Sequence, residues 1–393
     1  MKSTLFKVNA NSSTASPAVA RIPDVSGGAS HSTMGELSAI EVRTRLLAWY
    51  DANRRDLPWR RTADPYRILV AEYLLQRTRV VSGTPYYERF LARFPSIEDL
   101  AAASLDDVLA VWEGLGFYGR ARNLHAAAQA IVERHGGRLP ESFEELAALP
   151  GMGPYTAGAV ASIAFRVPVP AVDGNVTRVI ARLFRIPDDV TRAVAQRRIR
   201  EIAARLVSPE RPGAFNQSMM ELGATVCTPS SPSCTRCPLE RLCLAHLAGE
   251  EDRFPVSRRP RASPLVPVVF GLVAADGRVL LVRRPSGQLL GGLWSLPGGE
   301  RARKDDRTAL ADAVRRQAGT EVDIGARWSR VSRTFSHREW SGSIYRCTPR
   351  GMPEPSDSVR WVLWEEALRL PLVPFHRRAI EALAGLESFE RAD

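Results

Sequence analysis

The sequence predicts a multidomain chain: an all-α domain built around a helix–hairpin–helix, followed by a smaller mixed α/β domain. Three observations carry this. Over residues 37–249 apolar side chains recur every three to four positions, the period of helices packed on one face. From residue 266 the period shortens to two and β-branched residues dominate, as in half-buried strands. Between them, residues 250–265 turn to charge and proline, with Arg253, Arg258, Arg259 and Arg261, which reads as a basic linker. A length of 393 residues accommodates two or three domains at roughly 150 residues each.

The elements follow in order. Residues 1–36 are rich in Ser, Thr, Ala and Gly without periodicity and read as a disordered tail. Helical spacing then runs over 40–50, 68–78, 86–94, 106–112, 121–134, 156–165 and 176–183, punctuated by Pro58, Pro65, Pro95, Gly114-Leu115-Gly116, Gly136-Gly137, Pro168 and Pro187. A further run at 143–149 is stopped by Pro150. Gly151 and Gly153 permit backbone angles a side chain forbids, and Pro154 suits the first position of a new helix. Helix, tight hairpin and helix together present bare N–H groups at a positive helix end, an anion site suited to a DNA phosphate. Taken alone, the same segment also reads as an ordinary corner. In the C-terminal half, strands at 266–273 and 279–283 flank the turn Asp276-Gly277, and one helix is expected near 308–317, within an α/β domain over 266–388. No internal repeat is present.

The net charge of +11, carried by Arg far more than by Lys, favours a polyanionic partner. No apolar run reaches the roughly 18–20 residues of a membrane span, and the N-terminus lacks the apolar core of a secretory signal, so a cytoplasmic protein without a membrane partner is expected. Four of the five cysteines, Cys227, Cys234, Cys237 and Cys243, fall within seventeen residues, with six, two and five residues between them. Such crowding suggests metal ligation in a reducing compartment, by a 4Fe-4S cluster or a single zinc. Cys347 stands apart and reads as a lone buried thiol.

Taken as a set, these residues resemble a known family. The hairpin over 149–156, Asp173 and the cysteine spacing are similar to the endonuclease III superfamily of helix-hairpin-helix DNA glycosylases. Within it, Leu57-Pro58-Trp59-Arg60, Gly114-Leu115-Gly116-Phe117-Tyr118, Arg120-Ala121-Arg122-Asn123-Leu124-His125, Asp173-Gly174-Asn175-Val176, Phe215-Asn216-Gln217 and Phe335-Ser336-His337 resemble the MutY-family adenine DNA glycosylases, over about residues 37–385. The resemblance implies base excision repair by a monomer on double-stranded DNA containing adenine opposite 8-oxoguanine or guanine, nucleoid-associated if bacterial. It also implies one 4Fe-4S cluster in the loop 227–243.

Cutting the bond to adenine requires protonation of the leaving purine and stabilisation of a cationic sugar. A carboxylic acid does the first near neutral pH only if burial raises its pKa. Glu72 sits between Ala71 and Tyr73-Leu74-Leu75, an acid on an apolar helical face, and the resemblance makes it the general acid. Asp173 is placed to cap the next helix. The resemblance adds that it faces the sugar and stabilises the oxocarbenium-like state, helped by Asn175, with Tyr155 touching the same site. Strand-nicking relatives carry Lys at the position of Tyr155, to form a Schiff base; Tyr cannot, and Thr177 removes another possible amine, so base removal without efficient strand cleavage is expected. Gln76, Arg77, Thr78 and Phe117 match residues that probe or wedge the duplex, with Gly151 and Gly153 on the phosphate. Arg77 departs from the family's second Gln and Phe117 from its Tyr; an Arg here also occurs in mismatch-thymine relatives. Leu57, Trp59, Arg60, Val80 and Gln217 match the adenine pocket, although Trp59 alone reads equally as core packing.

The run Gly292–Glu300 is similar to the opening of a Nudix domain. Aligning Gly298 and Gly319 to the ends of that motif puts Lys304, Ala313, Arg316 and Gln317 where Mg²⁺-binding Glu residues are required, so pyrophosphatase activity is not expected. Instead Phe335, Ser336 and His337 match the loop that senses 8-oxoguanine. Rival readings are a mismatch glycosylase with specificity shifted by Arg77, a lesion-binding protein without catalysis, and a Nudix hydrolase.

Overall fold

A computed structural model describes residues 38–257, 263–301, 305–352 and 354–390, the last five as backbone. The N-terminal tail, the linker residues Arg258, Arg259 and Arg261, and Lys304 lie outside the described residues. The helices run α1 (Ala39–Asn53), α2 (Pro65–Leu75), α3 (Val80–Arg93), α4 (Ile97–Ala102), α5 (Leu105–Trp112), α6 (Gly119–His135), α7 (Phe143–Ala147), α8 (Pro154–Ala164), α9 (Gly174–Leu183), α10 (Ala193–Leu206), α11 (Pro212–Thr225) and α12 (Leu244–Leu247). There follow β1 (Leu265–Ala275), β2 (Arg278–Arg283), β3 (Trp294–Ser295), β4 (Gly298–Glu300), α13 (Asp306–Ala318), β5 (Val322–Thr334), β6 (Glu339–Pro349), β7 (Val359–Leu363), α14 (Trp364–Ala367) and α15 (Pro374–Glu390). Among the described residues no helix is long and apolar enough to cross a membrane.

The helices start where the sequence supplies a cap. Asp64 accepts from Tyr66 and Arg67 at the head of α2, with Pro65 in the first turn. Ser96 and Asp99 close a capping box on α4, and Ser104, Ser142 and Asp305 cap α5, α7 and α13. Each cap satisfies an otherwise orphaned N–H and contributes about 1 kcal/mol. The helix expected over 68–78 ends early, at Leu75. Its last carbonyls, those of Tyr73 and Leu74, accept from the Arg120 guanidinium, and Arg77 turns to φ +57°. The helix expected over 86–94 begins earlier, at Val80, with Pro85 accommodated inside it.

The chain forms two compact units, Met1–Arg55 with Pro168–Ser257, and Asp56–Val167 with Arg258–Asp393. In the first, α1, α9, α10 and α11 share a core that includes Val42, Leu46, Ile180, Ile199, Leu206 and Leu222. Three cysteines, Cys227, Cys237 and Cys243, pack against that core. In the second, α2–α8 are followed by a seven-stranded sheet in the order β3-β2-β1-β6-β5, with β4 against β1 and β7 against β2. Among the described strand pairings β1–β6 is parallel and the others are antiparallel. Period-two alternation is explicit in β1: Val268, Phe270 and Leu272 face the core beneath α15, while Val269 and Val273 face α13. The expected turn at Asp276-Gly277 joins β1 and β2, both residues having positive φ as a two-residue hairpin requires.

Candidate active site and candidate metal centre

Glu72 lies in the middle of α2 and is only 7% exposed, flanked by the buried Val70, Ala71, Tyr73 and Leu74. Tyr155, in the first turn of α8, donates its hydroxyl to Glu72 Oε2 at 2.6 Å. One residue on, Thr156 Oγ1 accepts from Gln76 Nε2 at 3.0 Å. Two side-chain bonds therefore tie the helix after the hairpin to the end of α2. The hairpin geometry that makes this possible depends on one glycine. Gly151 has φ +66°, and a Cβ there would fall 2.3 Å from the Asn123 side chain. Gly153, expected to need the same freedom, is in ordinary extended backbone at φ −75°, with open space where its Cβ would be.

The residues expected to probe the duplex sit on two loops of the same unit. Gln76 is the C-cap of α2, Arg77 is exposed at φ +57°, and Phe117 is 47% exposed at φ +48°. The Arg77 guanidinium lies 5.4 Å from the Phe117 ring centre, in cation–π range. Non-glycine residues in this region are strained by about 1–3 kcal/mol each, so something must over-determine the loops. Arg120 does. It is buried, and Nη1 donates to the carbonyls of Leu74 and Gln76 at 2.7 and 2.6 Å and to Thr78 Oγ1 at 3.1 Å, while Nη2 donates to Gly116 at 3.0 Å. Among the described residues no carboxylate pairs with it, and burial pulls its pKa down to about 10. In the sequence, the signal for Arg120 is its place directly after the Gly-Leu-Gly-Phe-Tyr-Gly run.

Of the expected adenine pocket, Leu57, Trp59 and Arg60 share one short turn, with Leu57 and Trp59 buried and Trp59 edge-on to Tyr87 at 5.3 Å. Val80 is half-buried at the start of α3. Gln217 belongs to the other unit, on α11, where its Oε1 accepts from Tyr50 at 3.2 Å.

Asp173 caps α9 as its position suggests: Oδ1 accepts from the Val176 N–H at 2.7 Å and Oδ2 from Asn175 Nδ2 at 2.9 Å. Burial nonetheless raises its pKa above the usual carboxylate value, outweighing those bonds and the charge of Arg178. Arg178 continues the chain of contacts. Its Nη2 reaches Asn175 Oδ1 and the Gly223 carbonyl, both at 2.8 Å, and its Nε the carbonyl of Cys227 at 2.7 Å. The acid and the first cysteine are thus joined through two side chains.

Cys227, Cys234, Cys237 and Cys243 are half-buried thiols on one loop of short 3-10 turns, near enough for each to feel the others' charge. Burial, then the neighbouring Glu251 carboxylate, pushes Cys234 up to about 11, and burial with the charge of the other cysteines pushes Cys237 up to about 12. The surroundings also suit an anionic thiolate centre, since Arg182 Nη1 lies 3.4 Å from Cys227 Sγ. The donor set fits a cysteine-ligated metal centre. Cys234 also converges with His246 and Glu251, ligand atoms within 4.8 Å of one another, a grouping the sequence spacing did not reveal.

In the C-terminal sheet, Phe335, Ser336 and His337 form the β5–β6 turn, closed by a 2.8 Å bond from Phe335 N–H to the Arg338 carbonyl. Phe335 packs edge-on against the buried Trp340 at 5.1 Å, leaving Ser336 and His337 exposed. On α13, Ala313 is buried, and Gln317 makes a two-way amide bond with Gly298, accepting from its N–H at 2.8 Å and donating to its carbonyl at 2.9 Å. Cys347 is the buried thiol expected, pushed up to about 12 by burial.

Residues 70–205 match the family model of the HhH-GPD superfamily base excision DNA repair protein, and residues 268–382 match that of the NUDIX domain. Among curated proteins, the chain is 37% identical over 381 residues to the adenine DNA glycosylase of Mus musculus, covering 82% of this chain and 74% of that protein. It is 36% identical over 384 residues to the adenine DNA glycosylase of Homo sapiens, covering 82% and 70%.

Proposed function

Because this chain belongs to the adenine DNA glycosylase family, we propose that it hydrolyses the N-glycosidic bond of adenine mispaired with 8-oxoguanine or guanine in duplex DNA, leaving the strand uncut. The observation that carries this reading is the 2.6 Å bond between Tyr155 and the buried Glu72. It places an acid in an apolar setting and fills the hairpin position with a phenol that forms no Schiff base. In the proposed reaction Glu72 protonates adenine on its imidazole-ring side, the C–N bond breaks, and the ionised Asp173, held by Asn175, stabilises the cationic sugar until water adds at the anomeric carbon and gives up a proton that restores Glu72 to its acid form. Gly151 and the N-terminus of α8 hold a strand phosphate; Gln76, Arg77, Thr78 and Phe117 fill the space vacated by the flipped base; and the turn of Leu57, Trp59 and Arg60, with Val80 and Gln217, receives adenine.

Cys227, Cys234, Cys237 and Cys243 would hold the 4Fe-4S cluster, which supplies a rigid crosslink to a loop of few regular elements. Phe335, Ser336 and His337 read the opposite base. The Nudix-like domain carries Ala313, Arg316 and Gln317 where metal-binding carboxylates are needed, which supports recognition rather than hydrolysis. The test is single-turnover base release from duplexes bearing adenine opposite 8-oxoguanine, adenine opposite guanine, and thymine opposite guanine, with and without alkali. Adenine release with strand breaks only after alkali is expected. Thymine release would make Arg77 the determinant of a shifted specificity, and tight lesion binding without release of either base would make the protein a sensor.

A further inference from the structure

Within the second compact unit, the C-terminal sheet and its helices hold α5 at both ends. In the first turn of α5, Asp106 pairs with Arg283, and Trp294 Nε1 reaches the other oxygen of the same carboxylate at 3.4 Å. At the C-cap of α5, Glu113 takes the fork of Arg377 from α15: Nε donates to Oε1 and Nη2 to Oε2, both at 2.6 Å. Arg377 is fastened in turn to the segment after α14, with Nη1 on the Leu368 carbonyl at 2.7 Å and Nη2 on the Leu370 carbonyl at 3.0 Å. The Arg377 and Glu113 side chains are only 23% and 17% exposed, so water competes little for the contact. A two-bond pair of this kind fixes direction as well as distance, and it is unlike an exposed ion pair, which contributes little.

The pair stands between two parts of the proposed machinery. On one side, three residues separate Glu113 from Phe117. Gly114 has φ +92°, and a Cβ there would lie 2.5 Å from the Tyr86 hydroxyl. The Gly116 carbonyl accepts from Trp112 Nε1 at 3.1 Å and from Arg120 Nη2 at 3.0 Å. A loop so short and so tied passes a shift of Glu113 on to the exposed Phe117 ring instead of absorbing it. On the other side, ring contacts lead from α15 to the β5–β6 turn. Phe375, two residues before Arg377, meets Trp340 edge-on at 6.3 Å, and Trp340 meets Phe335 edge-on at 5.1 Å. Close-packed rings transmit displacement because a packed interior compresses little. Resting on the function proposed above, we propose that Arg377 is a positioning residue for discrimination between opposite bases: when the β5–β6 turn engages 8-oxoguanine, α15 shifts, Arg377 carries the shift to Glu113, and the loop of Phe117 takes its wedging position.

The test is single-turnover adenine release by the full chain from two duplexes, adenine opposite 8-oxoguanine and adenine opposite guanine. Wild type, Arg377→Met, Glu113→Gln and the double variant are compared, with melting temperature measured on the same preparations. Arg377→Met is expected to slow release opposite 8-oxoguanine about tenfold and to leave release opposite guanine within about twofold. Glu113→Gln keeps the shape and loses the charge, and is expected to show the same selective loss to a smaller extent. The double variant is expected to lose no more than Arg377→Met, since both changes break one contact. Added to Phe117→Ala, Arg377→Met is expected to change neither rate further, because the ring it positions is gone. Equal losses on the two duplexes, as a merely structural role would give, would overturn the inference. So would additive losses in the double variant, or an Arg377→Met effect undiminished in Phe117→Ala. Adenine release from neither duplex by wild type would overturn the proposed function and this inference with it. Release by wild type, with an unchanged ratio between the duplexes in both single variants, would overturn this inference alone.

Discussion

Asp173 is pulled in two directions. Hydrogen bonds from Val176 and Asn175 favour its carboxylate, burial disfavours it, and burial prevails, so its pKa stands above the model-peptide value of 3.8. A carboxyl whose folded pKa is raised costs stability once ionised: the cost is absent below the unfolded pKa and complete above the folded one. Two outcomes follow from the proposed role. The acid limb of the single-turnover rate falls as pH drops through this raised pKa, above 3.8, because the ionised form is the working one. Asp173→Asn abolishes excision while its melting temperature at neutral pH stays at or above that of the wild type, since Asn caps a helix as well as Asp and carries no buried charge. A variant both inactive and markedly less stable would reduce Asp173 to a cap. The cap at Asp173 was legible in the local pattern before the helix-starting Gly174, whereas Glu72 and Tyr155 took their expected roles only from the family resemblance. Arg120 and Gln317 were not legible. Arg120 acts on carbonyls some forty positions away in sequence, and Gln317 on a glycine nineteen positions away, so no local spacing reports either.

At the scale of elements, the hairpin rests on the difference between its two glycines. Gly151→Ala forces a side chain into positive φ and against Asn123, and is expected to cost about 2 kcal/mol and to weaken DNA binding. Gly153→Ala meets open space in extended backbone and is expected to stay within about 0.5 kcal/mol of wild type. Thermal melting and a DNA-binding titration on both variants check this; equal losses would mean that the hairpin tolerates no Cβ at all and that the steric account of Gly151 is wrong. The starts of α8 and α9 were readable from Pro154 and Asp173, since capping chemistry is local. Helix ends were less so. The end of α2 is set by Arg120 taking its last carbonyls, and α3 runs through Pro85 because its apolar face is buried on both sides of it. The change of period from three-to-four to two placed the first two strands of the C-terminal sheet, β1 and β2, within two residues of their observed ends, while β3 to β7 were not placed.

At the scale of the whole molecule, the chain contributes to each compact unit from two separate stretches, a pattern no periodicity reports. Within the first unit the cysteine loop bears on Asp173 through Arg178, which holds both the Cys227 carbonyl and Asn175. Purified protein is expected to carry about four irons per chain. Oxidative removal of the iron is expected to lower excision in proportion to iron lost, with melting temperature falling alongside; a single zinc per chain, or full activity without iron, would contradict the assignment. The most direct test of the account is single-turnover release of adenine opposite 8-oxoguanine by wild type and Glu72→Gln, with lesion-duplex affinity measured on the same preparations. The account predicts unchanged affinity and a rate lower by about 10²–10⁴ in the variant, the span of general acid catalysis. Adenine release by Glu72→Gln at the wild-type rate would contradict it.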